Sequence, residues 1–257
     1  MSSRLTGKAR HRGGAARFGK FVSGADVLSG LAETFKRFIS PVRAASALPC
    51  FSMLFLQRPT EKQIHALLIE RESVPFSYSE TGATLSTPPR GYRVNHMRAL
   101  LGKGKEVHAR AVNALLSWRL LTVAGLELFP AQPAMRTETG VALLSRHFGL
   151  WSLDFCRVIY VLQAEPENGG AIERTGFAYG TLPGHAVRGE EIFSIEWHPA
   201  TNEVWYDIFS FSAPANLLIR LGGPLARSAQ KHFASASVKE AFEESGVNTH
   251  ANTRSHS

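Results

Sequence analysis

The sequence predicts an α+β domain in which a curved antiparallel sheet of about six strands closes around one long, kinked C-terminal helix. Three observations lead there. Across residues 139–212 apolar and polar positions alternate at period two, with turn signals roughly every ten residues, which is hairpin spacing rather than the spacing of strand–helix–strand crossovers. Few helical stripes precede that run. Pro214 then opens a last apolar stretch at helical spacing, long enough to cover one face of a sheet.

In chain order, Thr60 with Gln63 forms a capping box, and Ile64, Leu67 and Leu68 supply the buried stripe of a short helix to about Arg71. A turn-rich stretch follows to Arg90. In GYRVNHMR, Tyr92, Val94 and His96 alternate with Arg93, Asn95 and Met97, marking the first major strand. LGKGK reads as a glycine-punctuated turn, with Glu106 placed to favour the next helix N-terminus electrostatically. Val107, Ala111, Leu115 and Trp118 then recur at three to four residues, a helix over 103–121. Strands are expected at 139–147, 151–163, 171–182, 190–198 and 203–212. Turns at His147–Gly149, Pro166–Gly170, Pro183-Gly184 and Pro199–Asn202 separate them. The final helix carries Leu217, Leu218 and Leu221, kinks at Gly222-Gly223-Pro224 and continues through Leu225, Phe233 and Val238 to Phe242.

A chain of 257 residues, 44% hydrophobic and 10% aromatic, can bury a sizeable core. Its formal charge of +8 is unevenly placed: residues 1–58 hold ten Lys or Arg against Asp26 and Glu33, and the remainder is neutral. A neutral body argues against nucleic-acid binding by the folded domain. The expected organisation is a basic extension over 1–52, one domain over 53–243 and a disordered tail over 244–257. The extension is amphipathic and poor in acids, the pattern of a mitochondrial transit peptide. Its residues 17–43 equally suit contact with an anionic membrane surface, or an extension with no address. Met53 begins MLFLQRP, where a shorter product would start. Two separated cysteines, Cys50 and Cys156, make no disulfide framework and no zinc spacing, which favours a reducing intracellular compartment, cytoplasm or mitochondrion. No apolar stretch reaches the roughly 20 residues of a spanning helix, so a soluble body is expected. No cofactor or metal is expected.

The order of elements resembles the helix-grip fold of the plant-allergen and lipid-transfer (START-like) superfamily. There, the space between sheet and helix often holds an apolar ligand. A closer resemblance rests on GYRVNHMRALLGKG, CRVIYVL, GFAYGTLPGHAVRGEEIF and FSFSAPANLLIRLGGPLARSAQ. From about Leu54 to Phe242 the chain resembles the uncharacterised protein family numbered 0548, a domain-of-unknown-function family. The segment QAEPENGGAIER looks like a longer hairpin loop than that family usually has. The resemblance implies the shared domain and brings no reaction.

Candidate site residues fall into two sets. His185, Glu190 and Glu191 surround one turn of the third motif and invite an acid–base or metal-assisted reading. Against it, strand alternation sends Glu190 and Glu191 to opposite faces, and HExxH is absent. Phe177, Tyr179, Phe193, Phe209 and Phe211 are expected to wall a ligand cavity between sheet and final helix, subject to which face each takes. Tyr179, Arg157 and Asp154 would supply its polar groups. Trp118, Trp151, Trp197 and Trp205 read as core. The reading that follows is non-catalytic binding of a small apolar or lipid-like molecule. The alternatives are an enzyme using His185 with Glu190 or Glu191, and an interaction module docking through the basic N-terminus.

Overall fold

The computed structural model describes residues 53–123, 125–147, 149–215 and 223–246. The expectations for residues 1–52 and for the end of the tail lie outside them. Strand β1 is Met53–Phe55, helix α1 Glu61–Ile69, β2 Arg93–Lys103, α2 Lys105–Leu116, β3 Glu127–Phe129, β4 Gly140–His147, β5 Leu150–Glu167, β6 Ile172–Thr181, β7 Val187–His198, β8 Glu203–Pro214 and α3 Gly223–Ser245. The strands form one antiparallel sheet in the order β2-β8-β7-β6-β5-β4-β3, with β1 added against β5. Irregularities in register at Leu100/Gly102, Val158/Tyr160 and Leu162/Glu165 bend it. A curved sheet with a C-terminal helix packed on it is the helix-grip arrangement, here with eight strands rather than six. The two additional strands have three residues each, too short to show a period.

The capping box is present: the Thr60 hydroxyl accepts from Gln63 N at 3.3 Å and Gln63 Oε1 accepts from Thr60 N at 2.8 Å. LGKGK, by contrast, is not a turn. Strand β2 continues through Lys103 across a bulge, and Gly104 alone (φ +101°) turns the chain into α2. That helix stops at Leu116, short of 121, because Trp118 adopts φ +64° and its buried indole N–H donates to Pro133 O at 3.1 Å. Gly223 and Pro224 open α3, where a proline costs no helical hydrogen bond. The first half of the expected kinked helix, 216–222, lies outside the described residues. Among the described residues no helix is long and apolar enough to cross a membrane.

The sheet buries both faces, and it does so against different partners. On the inner face, Val141, Leu143, Val158, Phe193, Val204 and Tyr206 pack under α2 and α3. On the outer face, Ala142, Leu144, Leu153 and Phe155 join Ile64 of α1 in a second core. Consecutive residues of β4 therefore serve two cores. One layer contact does not account for the fold, as the sequence order suggested it would.

Strand β5 is the common element. Met53, Leu54 and Phe55 pair with Leu153, Ser152 and Trp151, and the β6 pairing on that same edge begins only at Cys156↔Thr181. β4 occupies the opposite edge. One 18-residue strand thus has three partners.

Candidate functional site

The motif from Arg174 to Trp197 is the β6–β7 hairpin, with Tyr179 opposite Glu191 and Gly180 opposite Glu190. Two of its glycines are required by close approach. A Cβ at Gly180 would collide with the Tyr78 hydroxyl, and one at Gly189 (φ +148°) with the carbonyl oxygen of Phe211 in the neighbouring strand.

Alternation places the two glutamates on opposite faces. Glu190 points outward and is buried. Its Oε2 accepts from the Tyr78 hydroxyl at 2.8 Å and from Gly82 N at 2.7 Å, and its Oε1 accepts from Thr84 N at 3.0 Å and from the Thr84 hydroxyl. Tyr160 and Thr84 then share a hydrogen bond at 2.5 Å. This carboxylate is an anchor: four donors in residues 78–84 hold a strap of irregular chain against the sheet. The Tyr78 hydroxyl is pushed far above its ordinary pKa by burial and by the Glu190 charge.

Glu191 points inward. Tyr179 donates to its Oε2 at 3.0 Å, and Ser210, its register partner on β8, hydrogen-bonds it as well. Burial raises its pKa to about 7, against the pull of those two hydrogen bonds. The residue is half-buried. Around it stand Phe177 and Phe193, rings 5.6 Å apart, with Tyr179 5.4 Å from Phe193 and Phe233 of α3 edge-on to Phe193. The Cys156 thiol is held well above its ordinary pKa by burial and by the nearby Asp154 and Glu191 charges. Tyr206, on the same face, bonds Ser237 of α3 at 2.8 Å.

His185 joins neither glutamate in a hydrogen bond. Its Nδ1 accepts from Val187 N at 3.1 Å and lies 3.6 Å from Asp154 Oδ1, which also accepts from Ala186 N at 3.0 Å. These contacts shape the turn. The three-residue constellation of the motif is therefore divided among a turn, an outer face and an inner face. Among the described residues no group of three or more His, Cys, Asp or Glu side chains is placed to hold a metal ion.

The expected cavity wall needs correction. Phe177, Tyr179 and Phe193 do face inward. Phe209 and Phe211 do not, because β8 turns Val204, Tyr206 and Ile208 to the inner core, leaving odd positions outside. Phe209 packs against His96, and Phe211 against Tyr78 and Tyr92. Arg157 is also outward: buried, it donates to Arg71 O at 2.5 Å and Val74 O at 3.0 Å. Ser210 and Tyr206 were missed, although the parity Val204-Tyr206-Ile208-Ser210 points to them once Tyr206 is taken as core.

Residues 77–240 match a family model described as "Domain of unknown function (DUF1990)". The chain belongs to the DUF1990 family. A UPF0548 protein of Dictyostelium discoideum is 28% identical over 212 residues, covering 76% of this chain and 97% of its own. One of Deinococcus radiodurans is 37% identical over 205 residues, covering 74% and 99%, and one of Arabidopsis thaliana 37% over 146 residues, covering 56% and 69%. Among solved structures, the hypothetical protein jhp0584 of Helicobacter pylori aligns with TM-score 0.41 and 11% identity, over 63% of this chain and 92% of that one. Ara h 8.0201 aligns with TM-score 0.34 and 9% identity, over 58% and 98%. The DUF1990 match contains both the strap bound by Glu190 and the Tyr179–Glu191–Ser210 group, while β1 and α1 precede it.

Proposed function

We propose that this protein binds a small, largely apolar molecule against the inner face of the sheet, with Glu191 as the polar anchor for a hydroxyl or ammonium group. The observation that supports this most directly is a carboxyl enclosed among aromatic rings yet still accessible, with two hydrogen bonds where an ionised carboxylate can accept about four. A carboxylate short of donors in such surroundings is costly, and a ligand donor would offset that cost while rings such as Phe177 and Phe193 cover its apolar body. A few placed polar groups in an apolar wall fix orientation, which suits binding without chemistry.

The test is titration with matched long-chain compounds: an alkyl amine, the corresponding alcohol and the alkane. Amine and alcohol should bind saturably, and Glu191→Leu should weaken both by about tenfold, the order of one lost hydrogen bond to a charged group, while leaving the alkane unchanged. No saturable binding by any of the three, or equal binding by the variant, would sink the reading. The near-neutral pKa of Glu191 also favours a second reading, proton transfer on the bound molecule. It requires a turnover whose pH profile moves when Tyr179 is changed to Phe.

A further inference from the structure

One residue of the third motif has no part in the fold or the inner face. Arg188 is exposed at the start of β7, on the outer side, with its guanidinium 5.8 Å above the ring of Tyr92. Together with Arg90 it lines a cleft of about 570 Å³ whose other walls are Phe76–Glu80, Gly91 and Tyr92. Elsewhere on this face arginines find carboxylates: Arg98 and Arg174 reach the two oxygens of Glu196 at 2.5 and 2.8 Å. Arg90 and Arg188 form no ion pair with any described residue. The one carboxylate in the cleft, Glu80, is already engaged. Its Oε2 accepts from the Tyr92 hydroxyl at 2.9 Å, Ser79 N at 3.1 Å and the Ser79 hydroxyl at 3.0 Å. Two exposed guanidinium groups stand at the cleft, while Glu80 is engaged and the Glu190 carboxylate behind Tyr78 is taken up by four donors.

The walls are also fixed in place. Glu190 clamps Tyr78, Gly82 and Thr84, and Ser77 N donates to Thr181 O at 2.9 Å. Phe211 meets Tyr78 and Tyr92 edge-on, at 5.8 and 5.2 Å between ring centres. The aromatic and backbone wall is therefore preorganised, and the two exposed arginines reach it from separate segments.

We propose that this cleft is a binding site for a phosphate group carried by a larger molecule, taken by Arg90 and Arg188 with Tyr92 beside it. A tetrahedral phosphate offers oxygens to two guanidinium groups at once and carries up to two negative charges, one for each arginine, where a carboxylate carries one. The cleft is larger than a phosphate, which leaves room beside Phe76 and Tyr92 for the attached group. The site is on the opposite face from Glu191 and stands independently of the ligand proposed there.

The experiment uses the full chain and three probes: inorganic phosphate, phenyl phosphate, and phosphatidylcholine vesicles containing phosphatidic acid. Calorimetry follows the soluble probes and co-sedimentation the vesicles. Phenyl phosphate should bind saturably and more tightly than inorganic phosphate, with phenol not binding. Arg90→Ala and Arg188→Ala should each weaken it by about tenfold, and the double variant should abolish it at unchanged Tm, both side chains being exposed. Vesicle binding without phenyl phosphate binding, lost in the double variant, would assign the phosphate to a lipid head. Failure of all three probes, or wild-type affinity in the double variant for whichever probe binds, overturns the site. Neither arginine touches the inner face, so these outcomes leave the Glu191 reading as it was.

Discussion

Glu190 gives its carboxylate to a strap of irregular chain on the outer face, whereas Glu191, one residue on, holds its own among aromatic rings on the inner face. Glu190 meets four donors, all from residues more than 100 positions earlier. Glu191 meets two and is left with a pKa near 7. The same side chain on the same strand therefore serves architecture in one position and stands as an acid with fewer donors and a raised pKa in the next. What separates them is the number of donors within reach: four from the strap for Glu190, and Tyr179 and Ser210 of the sheet itself for Glu191.

That contrast can be broken at several points. The largest effect is expected from Glu190→Ala, which leaves the Tyr78 hydroxyl and the amides of Gly82 and Thr84 without their acceptor. At about 1–3 kcal/mol for each unsatisfied group, the loss should be several kcal/mol in urea denaturation, with protease cutting concentrated in residues 78–85. Little change would show that the strap holds itself. Gly180→Ala should cost about 1–3 kcal/mol by overpacking against Tyr78 and should open the same segment to protease.

Glu191 should behave in the opposite sense. Because its folded pKa is raised from 4.5 to about 7, the folded state holds a proton that the unfolded chain has released. Stability is therefore highest below the unfolded value, declines as pH rises between about 4.5 and 7, and is level above that. Glu191→Gln should abolish that decline and gain about 3 kcal/mol over the parent at pH 8 relative to pH 4, measured by denaturation at both. A parallel pH dependence in parent and variant would remove the buried-acid account. The smallest effect belongs to Tyr179→Phe. Losing one donor should move the Glu191 titration upward, read from the pH dependence of its carboxyl carbon resonance, at a stability cost near 1 kcal/mol.

The same comparison explains what the sequence could disclose. Opposite faces for Glu190 and Glu191 follow from strand alternation alone, and so does the core role of Phe177 and Phe193. The misplacement of Phe209 and Phe211 was a parity error, resolvable only by knowing that Tyr206 rather than Phe209 is core. The second core left a trace in the apolar runs VALL of β4 and CRVIYVL of β5, the latter broken only by Arg157, which signal burial on both faces. The strap left none. Its residues 76–85 follow no period, and its partners lie across the sheet, so the role of Glu190 appears only when the chain is folded. Arg188 reads as an ordinary surface charge until Arg90 is brought beside it.

The position of β5 between three partners bears on where this chain can change length. Sliding β5 by a single residue would exchange Cys156 and Val158 for Phe155 and Arg157 on the inner side, and would do so simultaneously against β1, β4 and β6. No partly correct alignment remains to rescue such a slip, because each neighbour enforces the same parity. The tip beyond the last pair, Glu167↔Ile172, where Asn168–Gly170 turn the chain, can take insertions without such a slip. Length can vary at this hairpin tip, whereas the stretch from Leu153 to Val158, paired in unbroken register, leaves no such room.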